Sequence, residues 1–168
     1  SLKSKLNLSN KKVICFIGGL VHWHNFVLLL EAYDSLHKMV PEVVLLIVGD
    51  GPMRGYIQSK LQKMHINDNS VLLTGNVAHS EIPSYISISD VSVIPETNSY
   101  RSPIKMFEYM ALGKPVVAPK MQAIESVIEN EKDGLLFTPG DKNDLIHQLH
   151  RLLINTELAK SMGKLALQ

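Results

Sequence analysis

Cysteine is nearly absent from this 168-residue chain, occurring once, as Cys15 in the apolar run Val13-Ile14-Cys15-Phe16-Ile17. That excludes an intrachain disulfide and a cysteine-based metal centre, and it fits a cytoplasmic setting, at most at the inner face of a membrane. Neither sign of charge dominates, since 17 Lys and Arg face 16 Asp and Glu for a net charge of +1. Electrostatic attraction alone therefore does not hold nucleic acid, and any anion must be met by local groups. A membrane-spanning run is missing too. Residues 13–30 carry no Asp, Glu, Lys or Arg, but Gly18, Gly19, His22, His24 and Asn25 interrupt them, so they read as strand, loop and helix. The first twelve residues hold four Lys and no apolar core of their own; they read as an exposed lead-in over 1–12, and not as a signal peptide.

What is present is the composition of a globular domain, 45% hydrophobic and 20% charged. A single domain over 13–168 has enough chain to bury a core without disulfides or metals. Short aliphatic and β-branched runs occur at Val13–Ile17, Val43–Val48, Val71–Leu73, Val91–Ile94, Val116–Ala118 and Leu135–Phe137. The longer ones do not alternate with polar residues, which is the pattern of strands covered on both faces. Between them lie residues at helical spacing: Phe26, Leu29, Leu30 and Tyr33, then Ile57, Leu61 and Met64, then Ile104, Phe107 and Ala111. This alternation predicts an α/β fold, a doubly wound parallel sheet of about six strands with helices on both faces, whose ligand lies beyond the carboxyl ends of the strands. Asp141–Leu153 and Thr156–Leu167 read as two closing helices. The second has no Gly stop, so the chain is expected to be part of a two-domain protein.

Gly18-Gly19 follows the first strand and Gly49-Asp50-Gly51-Pro52 the second. Both could leave bare backbone under a ligand, or simply make tight turns. The segment Ser102-Pro103-Ile104-Lys105-Met106-Phe107-Glu108-Tyr109-Met110-Ala111-Leu112-Gly113 is more informative. Ser102 reads as an N-cap, Pro103 as the first helical residue and Gly113 as the stop. The helix N-terminus then lies just past the fourth strand, where its amide groups suit a phosphate. On the helical wheel Met106, Phe107, Met110 and Ala111 form the apolar arc, and Lys105 and Glu108 share a flank. A cation in the first turn, with Lys preceding Glu, stabilises a helix poorly. Either this is a solvated surface pair, or Lys105 answers a phosphate and Glu108 accepts hydrogen bonds from sugar hydroxyls.

Taken together these residues resemble the carboxyl-terminal, donor-binding half of GT-B glycosyltransferases, in the large retaining group numbered family four. The resemblance rests on Phe16 to His24, the Gly49 to Pro52 loop, Leu73-Thr74-Gly75-Asn76-Val77, the stretch from Pro95 to Pro119, and Gly134-Leu135-Leu136-Phe137 followed by Pro139-Gly140-Asp141. It implies a nucleotide-sugar donor, with UDP or GDP as the nucleotide, in glycan or polysaccharide biosynthesis. Glu108 would hold the ribose, and the backbone of Ser102, Pro103 and Ile104 would cradle the diphosphate. Gly18 and Gly19 would lie beneath it, Gly51 beside it, and the loop ending at Val77 would hold the base. Many members of that family carry Glu, touching the donor sugar, where this chain has Tyr100, and many carry Arg and Lys where it has Gly19 and His24. Lys105 would then supply the phosphate charge, helped by His24 or Arg101.

The resemblance further implies no metal, no cofactor, and no catalytic residue assigned in this half. The acceptor would be held by a missing amino-terminal domain, through which the enzyme would associate peripherally with a membrane. The 168 residues alone are expected to transfer no sugar. His22 with His24 and His147 with His150 have chelating spacings, but no carboxylate cluster completes either. Trp23 either stacks on a ligand or covers the first helix. A dinucleotide-binding dehydrogenase domain would use Asp50 but lacks the three-glycine fingerprint after the first strand, and a receiver or flavodoxin-like module lacks the carboxylates there.

Overall fold

The computed structural model describes residues 1–97 and 103–168. Its elements run α1 (Leu2–Lys5), β1 (Lys12–Ile17), α2 (Phe26–Met39), β2 (Val43–Val48), α3 (Arg54–Lys63), β3 (Val71–Leu73), α4 (Ile82–Ser87), β4 (Val91–Val93), α5 (Ile104–Ala111), β5 (Val116–Pro119), α6 (Gln122–Glu125), β6 (Leu135–Phe137), α7 (Lys142–Ile154) and α8 (Thr156–Leu167), with single 3₁₀ turns at His22–His24 and His79–Glu81. Within the described residues six strands form one sheet in the order β3-β2-β1-β4-β5-β6, every neighbouring pair parallel. The doubly wound sheet expected from the sequence is the fold. Its order reverses between β1 and β4, which opens a crevice beyond their carboxyl ends.

The unbroken apolar runs explain the two-sided cover. Along β1, Ile14 and Phe16 enter the core under α2 and α7, while Val13, Cys15 and Ile17 enter the opposite core under α4, α5 and α6. In β2, Val43, Leu45 and Ile47 share the first core, and Val44, Leu46 and Val48 the second. Because side chains alternate along a strand and both faces are covered, the positions from Val13 to Ile17 and from Val43 to Val48 are all apolar. Burying the Cys15 thiol pushes its pKa up to about 12, so it is inert as a nucleophile.

Two expectations are corrected here. The lead-in is not exposed throughout: α1 caps itself through Ser1, and Leu8 is only 1% exposed, packed in the same core as Cys15. Three residues of nonpolar character scattered among lysines carried too little local pattern to announce this. The face of α5 also differs. Ile104 and Phe107 are 78% and 48% exposed and Ala111 is exposed, whereas Met106 and Tyr109 are buried. Tyr109 turns inward because its hydroxyl accepts from the Ile17 N–H at 2.9 Å and donates to the Val93 carbonyl at 3.3 Å, tying α5 to β1 and β4. Apolar periodicity undervalues such a side chain, whose ring fills the core while its polar tip serves the backbone.

Candidate functional site

The crevice is built from three loops at the carboxyl ends of the strands. After β1, Gly18-Gly19 turns into the 3₁₀ turn of His22–His24. After β2, Gly49-Asp50-Gly51 runs alongside it, with the Leu20 N–H donating to Asp50 O at 3.0 Å and the Met53 N–H to Leu20 O at 2.8 Å. A side chain at Gly49 would overlap the Gly18 carbonyl oxygen, and one at Gly51 would fall against the Leu20 backbone. The bareness of Gly49 and Gly51 is therefore taken up by the neighbouring loop, and of the four glycines in the two loops only Gly19 is exposed. Asp50 is also occupied within the loop: it accepts from the Gly51 N–H at 2.8 Å and pairs with Arg54 at 3.5 Å. After β3, Gly75 bridges to Gly49, and Val77 packs half-buried on the core beneath α4.

The fourth contribution comes from α5. Ser102, the expected N-cap, lies outside the described residues, as do Tyr100 and Arg101. Pro103 occupies the cap position with extended dihedrals (φ −64°, ψ 134°), and Ile104 opens the helix, one residue later than expected. Proline brings no side-chain acceptor to the first amide groups; its carbonyl accepts from the Met106 N–H at 3.1 Å.

Lys105 and Glu108 do not pair, for no ion pair within reach joins them among the described residues. Lys105 reaches inward. Its Nζ lies 4.3 Å from the centroid of the Phe16 ring and 3.3 Å from His24 Nε2, in the space that a Gly18 Cβ would occupy at 2.6 Å. Burial, partly offset by the charge of Glu108, pushes the ammonium down to about 8. Glu108 faces the other way, into a groove of about 500 Å³ between α4 and α5 lined by His79, Ile82, Pro83, Ile104 and Leu112. Among the described residues no hydrogen bond engages its carboxylate.

His24 is 8% exposed and packs edge-on against Phe16 and Phe26. Its Nδ1 lies 3.3 Å from the Glu96 carbonyl oxygen. Burial first, and the Lys105 charge second, hold its pKa down at about 4, so the imidazole is neutral across the physiological range. The Glu96 carboxylate in turn accepts from Asn25 Nδ2 at 3.3 Å, and Asn25 caps α2 through the Leu28 N–H at 3.1 Å. Sequence reasoning passed over Glu96 and Asn25. An acid directly after a buried strand, in Pro95-Glu96, was the available signal. Trp23 is 40% exposed and rests against His22 and His24. Among the described residues no three His, Cys, Asp or Glu side chains stand together as a metal site, and no helix is long and apolar enough to cross a membrane.

The family model described as glycosyl transferases group 1 matches residues 1–168. The chain is 30% identical to a sulfoquinovosyl transferase of Arabidopsis thaliana over 173 aligned positions, covering 99% of this chain and 32% of that protein. It is likewise 30% identical to the N-acetyl-alpha-D-glucosaminyl L-malate synthase of Bacillus anthracis, covering 98% of this chain and 42% of that protein. Among solved structures, that of Alr3699/HepE of Anabaena in complex with UDP superposes with a TM-score of 0.89 at 23% identity, over 99% of this chain and 45% of that one. The chain thus spans less than half the length of these relatives.

Proposed function

This chain belongs to the group 1 glycosyl transferases, and from that premise we propose that it is the donor-binding half of a retaining glycosyltransferase, holding a nucleoside diphosphate sugar in the crevice between the β1 loop and α5. The observation that carries the reading is the division of labour on α5. One turn of helix sends a half-buried ammonium under the β1 loop and a carboxylate with no hydrogen-bond partner among the described residues into the groove beside it. A nucleoside diphosphate needs these two things side by side: a cation for the phosphates and an acceptor for the ribose hydroxyls. UDP is the first nucleotide to try, because a structural neighbour holds it. The acceptor would be gripped by a facing domain, in keeping with the share of its relatives that the chain covers. That domain would also be the part that meets a membrane, and the setting would be cytoplasmic.

In mechanism this half does the work of holding. Lys105 and the first amides of α5 would meet the diphosphate that departs when the bond to the anomeric carbon breaks, stabilising the charge that develops on it. The positioned acceptor oxygen comes from elsewhere, and positioning is a large part of the rate.

The deciding measurement is thermal stability of the chain with UDP, GDP, ADP or NAD, each at the same free concentration. Nucleoside diphosphates are expected to raise the Tm and NAD to leave it in place; a larger rise with NAD would return the crevice to the dinucleotide-binding class.

Glu108→Gln tests the ribose assignment. A charged acceptor is worth about 1.5 to 3 kcal/mol, so UDP should bind on the order of 10- to 100-fold more weakly by calorimetry. The Tm of the free chain should fall by no more than about 2 °C, because within the described residues the carboxylate makes no hydrogen bond or ion pair and contributes only its charge toward Lys105. Parental affinity in this variant would make Glu108 a surface residue.

A further inference from the structure

We propose that His24 is a positioning residue for the donor phosphates that never touches them: its neutral ring holds the Lys105 ammonium beneath the β1 loop. The inference rests on the reading of the crevice as a nucleoside diphosphate site and assigns His24 a task within it.

The geometry fixes the direction of each link. The Glu96 carbonyl, 3.3 Å from Nδ1, can only accept, so Nδ1 carries the ring proton. Nε2 is then left with its lone pair, and the Lys105 Nζ, 3.3 Å away, is the donor to it. The ring cannot swing to a ligand without abandoning its packing on Phe16 and Phe26, and at 8% exposure it presents little surface to the crevice. Its frame is itself fixed: Glu96 ties the segment after β4 to Asn25, the cap of α2. Lys105 carries four rotatable side-chain bonds and would otherwise sample the solvent side of its helix, so a fixed acceptor and the Phe16 ring confine it to one place. Gly18 provides the room, since a Cβ there would lie 2.6 Å from the ammonium nitrogen. A cation supplied from α5 is thus delivered by a side chain of the β1 loop.

Held this way, His24 has no charge to offer a phosphate. The charged groups that meet it are Lys105 from α5 and Glu96 from the segment after β4, with His22 two residues before it on its own turn. Both burial and the Lys105 charge oppose its protonation, which falls at about pH 4.

The test compares the parent, His24→Ala, His24→Gln and Lys105→Met for binding of UDP and of uridine by calorimetry between pH 5 and 8. Gln places an amide oxygen where Nε2 stands and keeps the acceptor. UDP affinity should fall about tenfold in His24→Ala and be restored in His24→Gln, with uridine affinity unchanged in both. In a Lys105→Met background, His24→Ala should cause no further loss, because the pair acts as one unit. The ratio of parent to His24→Gln affinities for UDP, in which the ligand's own titration cancels, should stay flat from pH 8 to 5. A ratio that grows below pH 6 would make His24 a cationic phosphate ligand and overturn the proposal. So would a His24→Ala loss that persists undiminished without Lys105. If His24→Ala fails to fold, His24→Phe takes its place, keeping the ring's packing on Phe16 and Phe26 and removing the acceptor: a tenfold loss there with parental affinity in His24→Gln supports the acceptor role, and parental affinity in both, or an equal loss in both, refutes it. A parent that binds no nucleoside diphosphate removes the functional reading and this inference together, whereas a parent that binds UDP with His24 indifferent removes only the inference.

Discussion

Replacing Lys105 by Met should weaken UDP binding on the order of 10- to 100-fold, leave uridine binding unchanged, and raise the melting temperature of the free chain. The two effects have one cause. The ammonium is held in a place where burial lowers its pKa from 10.5 to about 8. Since the folded-state value lies below the unfolded one, the folded chain binds this proton less tightly. Below pH 8 the cost of burying the charge is fully present, and it is relieved as pH rises from 8 towards 10.5. At neutral pH that cost amounts to about 3 kcal/mol at most, and Met forfeits the contacts with Phe16 and His24. A net gain of about 1 to 2 kcal/mol, or roughly 3 to 8 °C, is the expected result.

A diphosphate reverses the balance, because its charge restores the proton and turns an uncomfortable cation into a partner. Binding therefore takes up a proton above pH 8. The UDP affinity of the parent should fall through that limb by up to about tenfold per pH unit, while that of Lys105→Met stays level across it. Equal losses for UDP and uridine in the variant, or a lowered melting temperature, would reject the assignment of Lys105 to the phosphates.

The second large effect concerns the junction between the β1 and β2 loops. Gly49→Ala should destabilise the chain by about 3 kcal/mol or more, lowering the Tm by roughly 10 °C. Gly49 has φ +142°, a conformation that costs a residue with a Cβ of order 1 to 3 kcal/mol. The added methyl would also overlap the Gly18 carbonyl oxygen, which is backbone and cannot rotate away. Hydrogen bonds from Gly18 to Val48 and from Leu20 to Asp50 hold the two loops at this spacing, so relief requires breaking the extension of the β1–β2 ladder. Gly18 would shift with it, and with Gly18 the seat of the Lys105 ammonium, so UDP affinity should fall as well. Gly55→Ala is the control. It lies within α3 with nothing within 4 Å of the new Cβ, and it should raise stability by about 0.5 to 1 kcal/mol. Two variants that melted alike would mean the loops are not packed as described.

Most of the fold was legible in the sequence because its signals are short-range. Val43 to Val48 reads as a strand buried on both sides because six apolar residues in succession fit no other regular element of that length with polar neighbours. Asp141 and Asn155 mark α7 and α8 because a cap is a contact between residues three apart. The same locality placed Lys105 and Glu108 together on a helix just beyond β4. It could not show where they point. The seat of Lys105 is made by Phe16, Gly18 and His24, which lie some eighty residues earlier and become neighbours only because β1 pairs with β4 in the sheet. The inward turn of Tyr109 depends on the N–H of Ile17 and the carbonyl of Val93, and the burial of Leu8 depends on apolar side chains that other elements supply. Which loops meet, how closely their backbones approach and which charge is stripped of water are properties of strand order and packing. A one-dimensional pattern can name the groups that carry the chemistry, but the desolvation that sets their charge exists only once distant segments have closed over them.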